Sequence, residues 1–393
     1  MRNIFFFICF FTFSLQSLGQ ALEDINYSYL YDPSDPIEFQ MKSYRQGNVW
    51  KIFYKLTVKD PTRNINHFTI LMESRQSVSD KEGKSIQPES LGSSSWDTNG
   101  NAMIGFITLI QSPLPPIIVA KIIDMDSKQA WFQFKFLDES YSPPAYLTLS
   151  NQIIHLDQYV EGNTPVAISG TASNPLQVTH FSYEFPPASP AFSEAQVAVS
   201  KTMDIDSTFQ VVTDSFFTPQ KPGLYLVQTH AQAKEGLPFR VEPDYPKFQK
   251  LENLAEPLIY ICTKQEYDKV MQNKGDKKVF DQTILKIIKN RDNAVKFMKN
   301  YFDRVALANT YFTTYKEGWK SDRGMIYIVF GKPNVVQFYP DREVWTYKRL
   351  NQIKFEFFKS SSIFDPENFI LKRDEKYQTD WFLAIEVIRK GGF

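Results

Sequence analysis

The sequence predicts a mainly β chain that closes in a C-terminal α+β domain: two β-sandwich domains, a helical linker region, then a small mixed domain. Two observations carry this expectation. From about residue 25 to residue 262, short apolar runs with the two-residue period of strands alternate with turn residues, and from residue 263 the apolar spacing becomes helical. A third is length, since 393 residues at roughly 100 to 200 per domain make two to four domains.

At the N-terminus, Met1, Arg2 and Asn3 supply a short positive start, and 4–15 is an apolar run dominated by phenylalanine. This is the profile of a cleavable export signal, assigned to 1–19, with the small residues Ser17 and Gly19 placing a cut after Gly19 and Ala21 as the neighbouring choice. Thr12, Ser14 and Gln16 interrupt the run before it reaches the roughly 20 apolar residues that span a bilayer. No later stretch reaches that length. Cys9 lies inside the apolar run and no cysteine stands at the cut, so no lipid anchor is expected. The expected compartment is the periplasm or an association with the outer membrane, on either side of it. Cleavage leaves Cys262 as the one cysteine, which excludes an internal disulfide and makes the fold depend on its core. Cleavage also removes Arg2, so 44 basic residues become 43 against 44 acidic ones. A net charge near −1 argues against nucleic acid or an anionic membrane as the main partner.

The first β domain is expected over 20–142. Its clearest strand is 49–59, where Trp50, Ile52, Tyr54, Leu56 and Val58 share one face and Lys51, Lys55 and Thr57 the other. Gln46, Gly47 and Asn48 turn into it from a strand at 39–44. Further strands fall at 67–73, 103–110, 117–123 and 130–137, the last with Phe132, Phe134 and Phe136 on one face. The polar, Ser- and Gly-rich stretch 77–101 reads as a long exposed loop.

Pro143 and Pro144 mark a linker into a second β domain over 143–262. Strands are expected at 153–156, 166–170, 181–185, 196–199, 208–213, 224–229 and 239–242. The turn at 219–223 ahead of Leu224-Tyr225-Leu226-Val227 resembles the approach to the penultimate strand of an immunoglobulin-like domain. Such sandwiches carry unrelated functions, so the fold does not select one.

The final region is 263–393. Thr263 and Glu266 have capping-box spacing, with Tyr267, Val270 and Met271 behind them and Gly275 as the stop. Phe280, Ile284, Ile287 and Ile288 recur at helical spacing, and after a break at 290–292 a longer helix carries Val295, Met298, Tyr301, Phe302, Val305, Ala308 and Phe312 on one apolar face. A strand is expected over 325–330. A C-terminal helix is expected over 380–389, from Trp381, Ala384, Ile385 and Ile388, with Thr379 or Asp380 capping its start, Gly391 ending it, and its Trp381 face packed on the sheet.

Ahead of that expected strand the chain reads Gly318-Trp319-Lys320-Ser321-Asp322-Arg323-Gly324, and after it Gly331-Lys332-Pro333-Asn334. With Arg291-Asp292, Tyr301, Arg304-Val305, Ala308-Asn309 and Phe312 before it, and Glu343-Val344-Trp345-Thr346-Tyr347 and Phe355-Glu356-Phe357 after it, this region resembles the GWxTD domain of exported Bacteroidota proteins. Ser321 stands where the family usually has Thr, Ile287-Ile288 where it often has Phe-Trp, and Asn293-Ala294 where it has a proline-containing segment. The resemblance covers roughly a third of the chain and implies no activity.

Physically, Gly318 and Gly324 are expected to take backbone angles closed to other residues, and Trp319 to bury its ring against the preceding helix. Asp322 is expected to cap a turn or to pair with Arg323, Arg304 or Arg291. The motif thus reads first as a structural clasp. As a functional alternative, Asp322, Arg323, Arg304 and Asn309 line a polar pocket, with Ser321, Arg291 and Asp292 in the same candidate cluster. No catalytic set, metal site or cofactor is expected. His67, His155, His180 and His230 lack metal-ligand spacing, Cys262 reads as a buried inert thiol, and no nucleophile elbow occurs. Two function classes follow: a noncatalytic protein that binds envelope or secretion proteins, or a glycan-handling protein using some of its 6 Trp and 20 Tyr.

Overall fold

The computed structural model describes residues 19–87, 89–90, 101–110, 116–138, 140–150, 154–194, 203–348 and 352–392. The export segment thus falls almost wholly outside the described residues. Across them the chain is mainly β, in several sheets, with a helical region toward the C-terminus. No described helix is long and apolar enough to cross a membrane.

Alternating apolar residues make β1 (Ile37–Gln46) and β2 (Val49–Val58) a hairpin that turns at Gly47, whose φ of +57° favours glycine. The strands β3 (Phe68–Arg75), β4 (Lys84–Ile86), β5 (Glu89–Ser90), β6 (Ala102–Leu109), β7 (Ile117–Asp124) and β8 (Ala130–Phe136) complete two sheets, ordered β1-β2-β6-β5 and β4-β3-β7-β8. Trp50, Ile52 and Leu56 of one sheet share a core with Met72, Ile118, Ile122 and Trp131 of the other. The stretch expected as a loop, 77–101, contains β4 and β5. There Ile86 pairs with Met72 along the edge of β3, an arrangement its polar composition conceals. Alternation also understates β2, because Phe53 on its second face packs against Tyr44 and Tyr146.

Next come β9 (Tyr146–Leu149), β10 (Ile154–His155), β11 (Tyr159–Glu161), β12 (Val166–Ser169), β13 (Leu176–Phe181), β14 (Ser207–Val211), β15 (Gly223–Gln228) and β16 (Leu237–Glu242). They form the sheets β10-β9-β12 and β11-β16-β15-β13-β14. The strand expected over 181–185 is displaced. β13 ends at Phe181, because its pairing with β15 runs from Gln177 opposite Gln228 to Phe181 opposite Leu224. Pro186 and Pro187 follow, and neither has an N–H for a ladder. The strand expected over 196–199 lies outside the described residues.

Helices begin earlier than their clearest sequence signal, with α1 (Leu251–Ala255) and a 3₁₀ turn over Glu256–Tyr260. The capping box then forms as its spacing predicts. Thr263 Oγ1 accepts from the Glu266 N–H, and the Glu266 carboxylate accepts from the Thr263 N–H, opening α2 (Lys264–Gln272). Asp276 caps α3 (Lys277–Ile288) and Asn290 caps α4 (Arg291–Phe312). Of the apolar face expected on α4, Val295 is misplaced: it is 69% exposed, and Ala294 and Phe297 occupy the core instead.

The run expected as a strand over 325–330 is helical. It belongs to α5 (Asp322–Phe330), buried from Gly324 through Val329. A segment enclosed all round has no amphipathic period, so its apolar run alone cannot separate helix from strand. The sheet β17 (Val335–Phe338), β18 (Arg342–Tyr347), β19 (Ile353–Lys359) and β20 (Phe369–Leu371) is antiparallel, with Trp345 opposite Phe355. The last element, α6 (Gln378–Arg389), has the expected periodicity but no side-chain cap at its start. Trp381 meets Phe330 of α5 and Phe192, while Tyr377 just before the helix packs at a tilt on Phe355 of the sheet.

Residues 21–31 tie these parts together. Tyr27 N–H donates to the Val336 carbonyl, its ring contacts Phe134 of β8 and Phe338 of β17, and Tyr31 packs on Trp345 and Phe312.

Candidate functional site

The Gly318-to-Gly324 segment is a 3₁₀ turn, Gly318–Lys320, running into α5. Its glycines are required by proximity, not by backbone angle, since neither has positive φ. A Cβ on Gly318 would sit 2.0 Å from the Ala308 carbonyl oxygen of α4, and one on Gly324 would sit 1.9 Å from the Gly318 carbonyl oxygen. Gly318 N–H donates to Tyr245 Oη and Thr313 Oγ1, both at 3.1 Å. Trp319 is 1% exposed, and its N–H donates to Asn309 Oδ1 at 3.0 Å while Asn309 Nδ2 donates to the Pro246 carbonyl. Tyr260 Oη donates to the Trp319 carbonyl at 2.8 Å. Ser321 is the N-cap of α5: its Oγ accepts from Gly324 N–H at 3.0 Å and donates to the Gly318 carbonyl at 2.7 Å.

Asp322 pairs with none of the arginines expected for it. Its carboxylate takes Arg373 Nη2 at 2.5 Å and the Leu371 N–H at 2.8 Å, tying the start of α5 to β20 and the segment beyond. Arg323 points elsewhere, giving Nη1 to Glu343 Oε2 at 3.2 Å. The other Glu343 oxygen accepts from Tyr31 Oη and Trp345 Nε1, both at 2.6 Å. Arg304 donates to the Ile328 and Val329 carbonyls of α5 and lies over Gly331. Arg291 and Asp292 are exposed on the first turn of α4 and share no hydrogen bond or ion pair with the motif among the described residues. The candidate cluster therefore separates into an inward lock, an outward Asp322–Arg373 pair and two remote surface charges.

A cleft of about 620 Å³ opens beside the Asp322–Arg373 pair. Tyr183, Phe185, Tyr315, Ile363 and Phe364 supply its apolar walls, and Ser360, Ser361, Ser362, Ser321, Asp322, Arg373 and Lys316 its polar ones. Burial holds the Lys316 ammonium below the usual lysine range, against the pull of Asp322 and Glu317. Behind it, Glu317 accepts from Lys320 Nζ at 2.8 Å and lies 3.7 Å from Arg240. The reading of residue types missed Glu343 and Arg373, because pairs formed across tens of residues leave no local spacing to detect, and it missed Lys316, which is set apart only by the cleft that folding places beside it.

Other chemistry is muted. Burial pushes the Cys262 thiol up to about 12, with Glu266 adding to the shift, which disfavours the nucleophilic thiolate. His180 is enclosed between Asp206 and the Pro222 carbonyl. No group of His, Cys, Asp or Glu among the described residues has the arrangement to hold a metal ion.

Residues 223–390 match the family model of the GWxTD domain, so the match starts at β15 and takes in α1 to α6 and the sheet β17-β18-β19-β20. No curated protein matches the chain. Among solved structures, a chimeric titin Z1Z2 tandem bearing an exogenous fibronectin peptide is 14% identical. It is aligned over 52% of this chain and 98% of its own, and its TM-score of 0.16 is too low to carry an argument.

Proposed function

We propose that this chain, whose residues 223–390 match the GWxTD domain, is an exported noncatalytic protein of the cell envelope that binds other envelope or secretion proteins. The observation that carries this reading is the division of labour around the motif. Gly318, Trp319, Ser321 and Asn309 are committed to internal bonds, while the volume available to a partner lies next to them in an apolar-walled cleft. Finer parts of the same proposal are an immunoglobulin-like character for the β units, a Bacteroidota source, cleavage after Gly19 or Ala21, and residence in the periplasm or at the outer membrane.

A glycan-handling role is the alternative. Against it, Trp50, Trp131, Trp319, Trp345 and Trp381 are all buried and offer no face for sugar stacking. The test is affinity purification of the tagged chain from the native envelope, with mass spectrometry of its N-terminus. A protein captured in stoichiometric amount, and lost when the 41% exposed Tyr183 is changed to Asp, supports the proposal. Recovery of glycan in place of protein, or a retained 1–15 segment, overturns it.

A further inference from the structure

Lys316 differs from the other cations around the motif. Arg373 is held by Asp322, Arg323 by Glu343, and Lys320 by Glu317. Lys316 lines the cleft with its Nζ 5.6 Å from the centre of the Tyr315 ring, and that ammonium has no hydrogen-bond or ion-pair partner among the described residues. The two acids that act on it are engaged elsewhere, Glu317 by Lys320 and Arg240, Asp322 by Arg373 and the Leu371 N–H. Partly burying an ammonium beside a cleft without a counter-charge weakens its solvation, and a ligand that supplies the opposite charge recovers part of that energy.

We propose that the cleft binds a carboxylate carried on an apolar body, with Lys316 as its anchor. The inference rests on the interaction reading above, in which a partner protein presents the carboxylate from an acidic residue or chain end beside an aromatic one. The charge count selects a monoanion: Asp322 and Arg373 cancel, one positive charge is left, and the nearby Asp322 carboxylate repels a doubly charged phosphate. The walls select the body. Tyr183, Phe185, Ile363 and Phe364 present aromatic and aliphatic surface around the amine, and a volume of about 620 Å³ falls in the range of small-ligand sites.

The test titrates the full mature chain with N-acetyl-phenylalanine and with its uncharged amide, following Ile363 methyl resonances. The expected result is saturable binding of the acid about tenfold tighter than of the amide. That preference should vanish in Lys316→Met, persist in Lys316→Arg, and leave the melting temperature unchanged. Equal binding of acid and amide, or an undiminished preference in Lys316→Met, overturns the proposal, as does absence of saturable binding of the acid. Inorganic phosphate binding more tightly than the acid also overturns it. Envelope capture is scored separately. A partner retained by Lys316→Met removes the carboxylate anchor but leaves the interaction reading standing. Acid-selective binding with no captured protein overturns the interaction reading and leaves the carboxylate site.

Discussion

Arg323 and Lys316 flank the same turn and are both partly buried, yet their surroundings are opposite. Arg323 lies over the rings of Phe312 and Phe369 and meets Glu343, whose remaining acceptor capacity is taken by Tyr31 and Trp345. Lys316 lies over Tyr315 and pairs with no carboxylate among the described residues. The first arrangement is closed, the guanidinium meeting a carboxylate and two rings and that carboxylate accepting from two further donors of the fold. The second is open on the side of the cleft. The difference separates two uses of buried charge: a satisfied pair fixes which elements meet, and an unsatisfied cation beside a cavity leaves room for something from outside.

The strongest way to break this comparison is to open the closed site. Glu343→Leu strands Arg323 and should cost about 3 to 5 kcal/mol in urea unfolding, whereas adding Arg323→Met to it should recover much of the loss, because an apolar pair needs no counter-charge. A double variant as unstable as the single one would show that the pair is not the unit. Trp319→Ala should cost a similar amount, about 3 to 5 kcal/mol, as large core truncations do. An unchanged melting temperature with lost partner capture would make Trp319 a recognition residue.

Asp322→Asn keeps the shape but weakens a charge-assisted bond, and about 1.5 to 3 kcal/mol is expected from unfolding curves. Asp365 sharpens the comparison through pH. It is buried, its Oδ1 accepts from the Glu367 N–H while Oδ2 has no hydrogen-bond partner in bonding geometry among the described residues, and burial raises its pKa from 3.8 to about 7 despite Thr314 and Arg323 nearby. Between those values the folded state holds a proton that the unfolded chain has lost, so stability should fall as pH rises from about 4 to about 7. Asp365→Asn should flatten that decline, and an unaltered pH profile would assign it to other groups.

The smallest effect is expected at the open site. Lys316→Met keeps the apolar stem and should change stability by no more than about 0.5 kcal/mol near neutral pH. Because burial lowers the lysine's proton affinity in the folded state, that state releases its proton first as pH climbs toward 10.5. Stability should therefore rise with pH in that alkaline window, and the methionine variant should lack the rise. A large loss at neutral pH would mean that Lys316 is part of the fold.

Local signals were legible where chemistry and period act over a few residues. The β1–β2 hairpin follows from alternation and a glycine turn, the start of α2 from Thr263 and Glu266, and α6 from the recurrence of Trp381, Ala384 and Ile388. The motif was legible as a motif, and burial of Trp319 followed from its size. Only tertiary structure decided the rest. It made 325–330 helical, because a run enclosed on every side carries no period. It demanded glycine at 318 and 324 through the approach of α4 and the motif's own backbone. It gave Asp322 to Arg373 and Arg323 to Glu343 while leaving Lys316 without a carboxylate, since ion pairing depends on distances that folding creates between residues far apart in the chain.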